Sequence, residues 1–248
     1  MIEDILAVYK KTLKITIKKL SGNPVFLIIP LLYSVALNTS HIIIGYLGIP
    51  GSGFIVPIIY SLILSSYFEL LSDLNFYNRI SFRSFKSSFT KNFFTIYSVY
   101  FVMMIIKFLT RPLPMQIAIA VIIYFLLNAI SESIYIKGKS YVDAYTYTIS
   151  FMSENFIHWS ISVLAYILVV SLLTQTVGYT IFQFSNNFIS SLTGIEVGIF
   201  EMANSSIDSI LRILLIQVIT AVYVLFRGSL FTILSSSTMR KRKYMGEF

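Results

Sequence analysis

The chain has 248 residues, of which 56% are hydrophobic and 12% are charged, and its formal net charge is +8. A soluble domain usually carries about 25% charged residues, so this composition excludes a globule that covers its own surface in water. The absence of cysteine excludes disulfides, thiolate metal sites and cysteine nucleophiles.

The first predicted element is an amphipathic helix over residues 2–20. Its apolar residues recur at helical spacing on one face, and its lysines cluster on another. This pattern is typical of a helix that lies in the plane of a membrane interface. The apolar face carries Ile2, Ile5, Leu6, Tyr9, Leu13, Ile17 and Leu20, and the basic edge carries Lys10, Lys11, Lys14 and Lys18.

Six apolar stretches follow, and each is long enough to cross a bilayer, which takes about 20 residues. A glycine- and proline-rich connection at residues 45–53 and an Arg-Pro-Leu-Pro turn at 111–114 predict tight hairpins. The chain is therefore predicted to be one all-α membrane domain over residues 1–248. The predicted spans cover about residues 24–45, 54–73, 93–109, 115–136, 156–182 and 207–234.

The basic residues predict the orientation of the six spans. Of the 19 lysines and arginines, 15 fall on the side that carries both chain ends. Positive residues are retained on the cytoplasmic side of membrane proteins, so both termini are expected in the cytoplasm of a cell-membrane protein. The same reasoning explains the net positive charge without a nucleic-acid partner. The terminal run Arg240, Lys241, Arg242 and Lys243 is predicted to be a membrane anchor that also suits anionic lipid.

Every second span is preceded by an amphipathic stretch that ends at an asparagine: Asn23, Asn92 and Asn155. Asparagine suits such a junction because its side chain can cap the helix that follows. A shift of 63 residues also aligns Glu69 with Glu132 and Asn92 with Asn155. We therefore predict three repeat units, at about residues 1–75, 76–137 and 138–238. Each is an interfacial helix followed by a hairpin of two spans, in a pseudo-threefold arrangement.

The stretch Asp143–Phe156, with its alanine, its serines and its terminal Asn155-Phe156, carries a resemblance. It is similar to the segment before a span in six-span prokaryotic proteins of the glycerophosphoryl diester phosphodiesterase membrane-domain-like families. The resemblance implies the six-span fold and a loose link to lipid or membrane chemistry. The chain carries no phosphodiesterase catalytic domain, so that activity does not follow from the resemblance.

Three ionisable residues within the spans are the candidate functional residues. Glu69 and Glu132 lie near the inner ends of spans two and four, and Arg227 lies in span six. Charges at this depth are costly and usually face protein or water. One hypothesis brings the three together in an inward-open cavity for a cation, a proton or a polar head group. The alternative is that they pair with one another to hold the hairpins together, or lie at the interface.

Four further features have two interpretations each. Arg212 either pairs with Asp208 at i, i+4 spacing or forms an outer anion site. The apolar segment Gln183–Ser206 is either an interfacial cap or a lid. His41 and His158 have no companion at metal-ligand spacing and are predicted to lie at the membrane interface. No metal ligands, cofactor motif or set of catalytic residues stands out.

The leading functional prediction is a transporter-like or lipid-handling protein that accepts a small polar or amphipathic ligand from the cytoplasmic side. The alternative is a non-transporting scaffold or accessory subunit. An enzyme is disfavoured because no acid–base–nucleophile set is evident. The predicted partners are membrane lipid and such a ligand, with a second copy of the chain or another membrane protein as further candidates.

Overall fold

A computed structural model describes residues 2–48, 52–81, 85–174 and 207–237, with Phe188, Leu192, Thr193 and Ile195 between the last two ranges. This described part is helical and contains no strand, which confirms the predicted all-α class. In chain order the elements are α1 (Ile2–Gly22), a 3-10 turn (Pro24–Leu27), α2 (Ile29–Tyr46), α3 (Ser52–Tyr77), α4 (Phe85–Lys91), α5 (Phe93–Thr110), α6 (Gln116–Leu126), α7 (Ile130–Tyr135), α8 (Tyr141–Thr174) and α9 (Ile207–Ser236).

Six of the helical stretches are long and apolar enough to cross a membrane, which confirms the predicted number of spans within the described residues. These candidate spans are Pro24–Tyr46, Gly53–Tyr77, Phe85–Thr110, Gln116–Tyr135, Tyr141–Leu173 and Ile210–Ser236. The predicted end of span five, beyond residue 174, lies outside the described residues. The described helices are thus consistent with an integral, multi-pass membrane protein.

The backbone leaves the helical conformation at each of the three junction asparagines. Asn23 separates α1 from the 3-10 turn, Asn92 separates α4 from α5, and Asn155 interrupts α8 with φ −123° and ψ 16°. The predicted breaks are therefore present. The predicted capping is wrong at Asn23 and Asn92, because neither side chain makes a capping hydrogen bond to the helix that follows.

The junction side chains reach backwards instead. Nδ2 of Asn23 donates to the carbonyl of Lys19 at 3.1 Å, and Nδ2 of Asn155 donates to the carbonyl of Phe151 at 3.1 Å. These two asparagines therefore bond carbonyls four residues back, in the last turn of the preceding helical segment.

Span four is interrupted, which its sequence does not predict. The helix stops at Leu126 and resumes at Ile130, with Leu127, Asn128 and Ala129 in a turn. In an unbroken helix the Glu132 N–H would bond the Asn128 carbonyl. The turn leaves that carbonyl free for a side chain from another helix.

The core lies where α3, α7, α8 and α9 meet. Rings of Phe151 and Trp159 from α8 pack on Phe231 of α9, with centroids 4.5 Å apart for Phe151 and Phe231. Helix α1 packs against α9 and contributes Val8 to this core.

Candidate functional site

The candidate site is an ion pair between α7 and α9. Nε of Arg227 donates to Oε1 of Glu132 at 2.9 Å, and Nη2 donates to Oε2 at 2.9 Å. The two side chains are 1% and 2% exposed. A fork of this kind, with two parallel hydrogen bonds, is the strongest geometry for an arginine and a carboxylate.

The break in span four completes the arginine's coordination. Nη2 of Arg227 also donates to the free carbonyl of Asn128 at 2.7 Å. The side chain of the same asparagine accepts a hydrogen bond from Nε1 of Trp159 at 2.8 Å. Asn128 therefore joins the turn in span four to both α8 and α9.

Two rings and a hydroxyl enclose the pair. The guanidinium carbon of Arg227 lies 5.2 Å from the Trp159 ring centroid and 5.7 Å from that of Tyr223, within cation–π range. Oγ of Ser131 donates to Oε2 of Glu132 at 2.8 Å. A buried charge is tolerated when it is paired and hydrogen-bonded, and both conditions are met here. The arrangement is suited to joining spans rather than to presenting an open charge.

Glu69 lies in a different environment. Its two carboxylate oxygens accept hydrogen bonds from Nζ of Lys91 in α4, at 2.6 and 2.7 Å. Lys91 is 58% exposed and Glu69 is 13% exposed. The structure thus brings Glu132 and Arg227 together but not Glu69. All three residues are in ion pairs, and ligand binding by them stays a prediction.

A buried polar contact that the sequence reasoning missed holds the start of α1. Oδ2 of Asp4 lies 2.8 Å from Nε2 of His158, and both side chains are buried. The Tyr9 hydroxyl donates to the His158 carbonyl at 2.7 Å, and burial raises the pKa of Tyr9 to about 12. His158 therefore has a buried partner within the protein, and its position at the membrane interface stays a prediction.

A second missed contact holds the end of α1. Nζ of Lys19 donates to Oδ1 of Asn75 at 2.8 Å and to Oγ of Ser229 at 3.2 Å. The residue is 6% exposed, and burial lowers the pKa of its amine to about 8. Because Asn75 is in α3 and Ser229 is in α9, Lys19 ties α1 to two spans.

The spacing of the buried α1 residues is the sequence pattern that could have predicted these contacts. Asp4, Val8, Thr12 and Thr16 recur at intervals of four, and Lys19 follows on the same face. A repeat of four places residues along one side of a helix. It was overlooked because polar residues are expected to face outward.

The remaining candidate residues are only partly described. Arg212 lies half-buried near the start of α9, but the side chain of Asp208 lies outside the described residues, as does the run Arg240–Lys243. Of the segment Gln183–Ser206, the described Phe188 and Thr193 are buried, and the Tyr67 hydroxyl donates to the Thr193 carbonyl at 3.3 Å. The ion-pair, anion-site, lid and anchor interpretations stay predictions. Within the described ranges, no group of three or more His, Cys, Asp or Glu residues could hold a metal ion.

Comparison with protein-family models, with curated proteins and with solved structures gives no match. The resemblance to the phosphodiesterase membrane-domain-like families therefore stays a prediction. The fold and the candidate site define the class of the chain: its described part is all-helical and contains six potential membrane spans. Two of those spans are joined by a fully buried ion pair.

Proposed function

We propose that the chain is a non-transporting membrane scaffold or accessory subunit of a cell membrane, with both termini in the cytoplasm. The observation that carries this proposal is the buried Glu132–Arg227 pair. Both charges are hydrogen-bonded to each other and to neighbouring groups of span four, namely the Asn128 carbonyl and the Ser131 hydroxyl. This geometry favours the structural alternative over the transporter-like one.

The proposed orientation is supported by the position of α1. Lys19 at its end contacts Ser229 near the end of α9, so α1 lies at the same end of the bundle as the end of α9. Exposed lysines on α1 line this end. A concentration of basic residues at one end of a bundle is typical of its cytoplasmic side.

A threefold organisation belongs to the same proposal. Each of the three junctions has one form: a helix, an asparagine outside the helical conformation, and then a span. Two of the junctions are also tied to α3 or to the residue that follows it: the Asn92 N–H donates to Oγ of Ser65 at 2.9 Å, and Nδ2 of Asn23 donates to the carbonyl of Asn78 at 2.8 Å. Three hairpins, two of them held in this way where the hairpin begins, would make a rigid platform suited to a scaffold.

One observation favours the transporter-like or lipid-handling alternative. Gln217 of α9 is buried, and neither polar atom of its side chain has a hydrogen-bond partner within the described part of the chain. A buried polar group left unpaired costs about 1–3 kcal/mol. A ligand or lipid head group at this position would remove that cost.

Reconstitution into liposomes tests the proposal. We expect the proteoliposomes to match empty liposomes in proton flux, measured with a trapped pH dye. The same vesicles should show no lipid flipping, measured by dithionite quenching of labelled lipid. We also expect Glu132→Gln to lower the yield of folded protein in the membrane, with Glu69→Gln as the matched control. Proton flux or lipid flipping that Glu132→Gln abolishes at unchanged yield would overturn the proposal.

A further inference from the structure

Helix α1 presents three faces rather than the two of an ordinary amphipathic helix. One face is buried against the protein and carries Asp4, Thr12, Thr16 and Lys19 among its residues. A second face is apolar and exposed, with Leu6 and Ile17 each 65% exposed. The third carries the exposed lysines Lys10, Lys11, Lys14 and Lys18.

This order of faces is the reverse of that in a soluble protein. A surface helix in water normally buries its apolar stripe against the core and exposes its polar residues. Here the threonines are buried and use their hydroxyls within the helix, since Oγ1 of Thr12 donates to the carbonyl of Val8 at 2.7 Å and Oγ1 of Thr16 to that of Thr12 at 2.9 Å. The exposed apolar face is therefore not covered by the protein core, and it would be stable only in contact with another apolar medium, such as lipid.

A trough of about 490 Å³ runs along the boundary between the apolar face and the lysine face. The trough is open on its outer side and is lined by α1 alone, so it suits a ligand that the surrounding medium also covers. The trough is lined by Leu6, Tyr9, Lys10, Leu13, Lys14 and Ile17. Of these residues, Tyr9 is fixed by the hydrogen bond from its hydroxyl to the His158 carbonyl.

We propose that this trough binds one anionic phospholipid of the surrounding bilayer. The phosphate lies between the ammonium groups of Lys10 and Lys14, which are neighbours at i, i+4 spacing. An acyl chain lies along Leu6, Leu13 and Ile17. This inference rests on the membrane placement proposed above but not on the scaffold role.

Charge and polarity together select this occupant. The apolar wall excludes a free anion as the complete ligand, because a phosphate alone would leave Leu6, Leu13 and Ile17 uncovered. The two lysines favour a negative head group over a zwitterionic one, since each basic residue near anionic lipid strengthens binding. A phospholipid with a net negative head group supplies both parts in one molecule.

Lipid titration of the full chain in neutral maltoside micelles tests the inference. The probe is long-chain phosphatidylglycerol, and native mass spectrometry counts the bound lipid. We expect one tightly bound lipid per chain. In Lys10→Gln/Lys14→Gln we expect roughly 30-fold weaker binding, equivalent to about 2 kcal/mol.

Two matched variants isolate the site. Lys11→Gln/Lys18→Gln removes the same charge from the same helix outside the trough, and binding should weaken less than about 3-fold because micelles lack an extended charged surface. Leu13→Ser/Ile17→Ser should weaken long-chain phosphatidylglycerol but not a short-chain form. All four side chains replaced in the trough are exposed, so the folded yield of these variants should equal that of the unmodified chain.

Three results would overturn the inference. They are equal losses in the two lysine pairs, equal affinity for phosphatidylcholine, and inorganic phosphate that displaces the lipid at similar concentration. Proton flux or lipid flipping in liposomes that Glu132→Gln abolishes would overturn the scaffold proposal and leave this titration unaffected, so the two failures are distinguishable.

Discussion

The two acidic residues that share a place in the predicted repeat, Glu69 and Glu132, form ion pairs of opposite character. Glu132 and Arg227 are almost fully enclosed and joined by two hydrogen bonds. Glu69 forms an ion pair with Lys91, whose side chain is mostly exposed. The same type of residue thus becomes part of the core in one case and an edge contact in the other.

The difference shows that burial determines what an ion pair contributes. An exposed pair gains little because the surroundings screen it, typically about 0–1 kcal/mol. A buried pair adds little net stability over an apolar pair of the same shape, but loss of one partner strands the other charge and costs about 3–5 kcal/mol. The sequence position of a charge does not reveal which case applies.

The largest expected effect comes from Glu132→Gln, which leaves the buried Arg227 without a counter-charge. We expect a loss of stability of about 3–5 kcal/mol. The measurement is the fraction of protein that stays monodisperse in size-exclusion chromatography after heating in detergent. Glu132→Gln/Arg227→Gln should recover part of the loss, because no charge is then stranded. A single variant as stable as the unmodified chain would contradict the comparison.

Lys19 extends the comparison to a buried cation whose hydrogen bonds go to neutral oxygens. Its pKa falls from 10.5 to about 8 on folding. Between these pH values the unfolded chain binds one more proton than the folded chain, so stability rises as pH increases from about 8 to about 10. The gain is on the order of 2–3 kcal/mol at about 1.4 kcal/mol per pKa unit.

Heat stability measured across this pH range checks the sign. Lys19→Met should lack the rise, and Lys18→Met, an exposed neighbour, should retain it. Parallel pH curves for the unmodified chain and Lys19→Met would show that the folded amine is not perturbed.

The turn in span four gives the next largest effect. Trp159→Phe removes the donor to Asn128 Oδ1 and weakens the aromatic contact with Arg227. A buried acceptor left without its donor costs about 1–3 kcal/mol. Heating in detergent should show a loss of this size, whereas Phe156→Leu, at a nearby exposed ring, should change stability by less. Equal losses in both variants would contradict the proposed role of Asn128.

The smallest effect is expected at the exposed pair. Lys91→Ala should change stability by less than about 1 kcal/mol, and added salt should reduce the difference further. Heat stability at low and high salt tests this. A loss as large as that of Glu132→Gln would mean that Glu69 is as dependent on its partner as the buried pair.

Much of the fold was predictable because it depends on local composition. The six apolar stretches, the turn at residues 111–114 and the breaks at Asn23, Asn92 and Asn155 are all present in the described residues. The break at residues 127–129 was not predictable, since that part of the chain contains neither glycine nor proline. It depends on Arg227 and Trp159, which are distant in sequence and satisfy Asn128.

The sequence could predict which residues belong to the candidate site but not which of them contact one another. Glu69, Glu132 and Arg227 stood out because ionisable groups are costly within apolar helices. Their partners lie 22 and 95 positions away, and nothing local favours one pairing over another. The contacts of Asp4 and Lys19 were missed for a related reason: in a bilayer the polar face of a helix can be the one that packs against protein.

The sequence by itself indicated a membrane environment for this protein, the number of its candidate spans and the points at which the preceding helices end and the spans begin. These follow from hydrophobicity and backbone preference, which act over neighbouring residues. Only the tertiary structure decided which charges are paired, where span four is broken and which face of α1 is buried. Those outcomes depend on which helices, distant in sequence, pack together and on how far the packing buries each side chain.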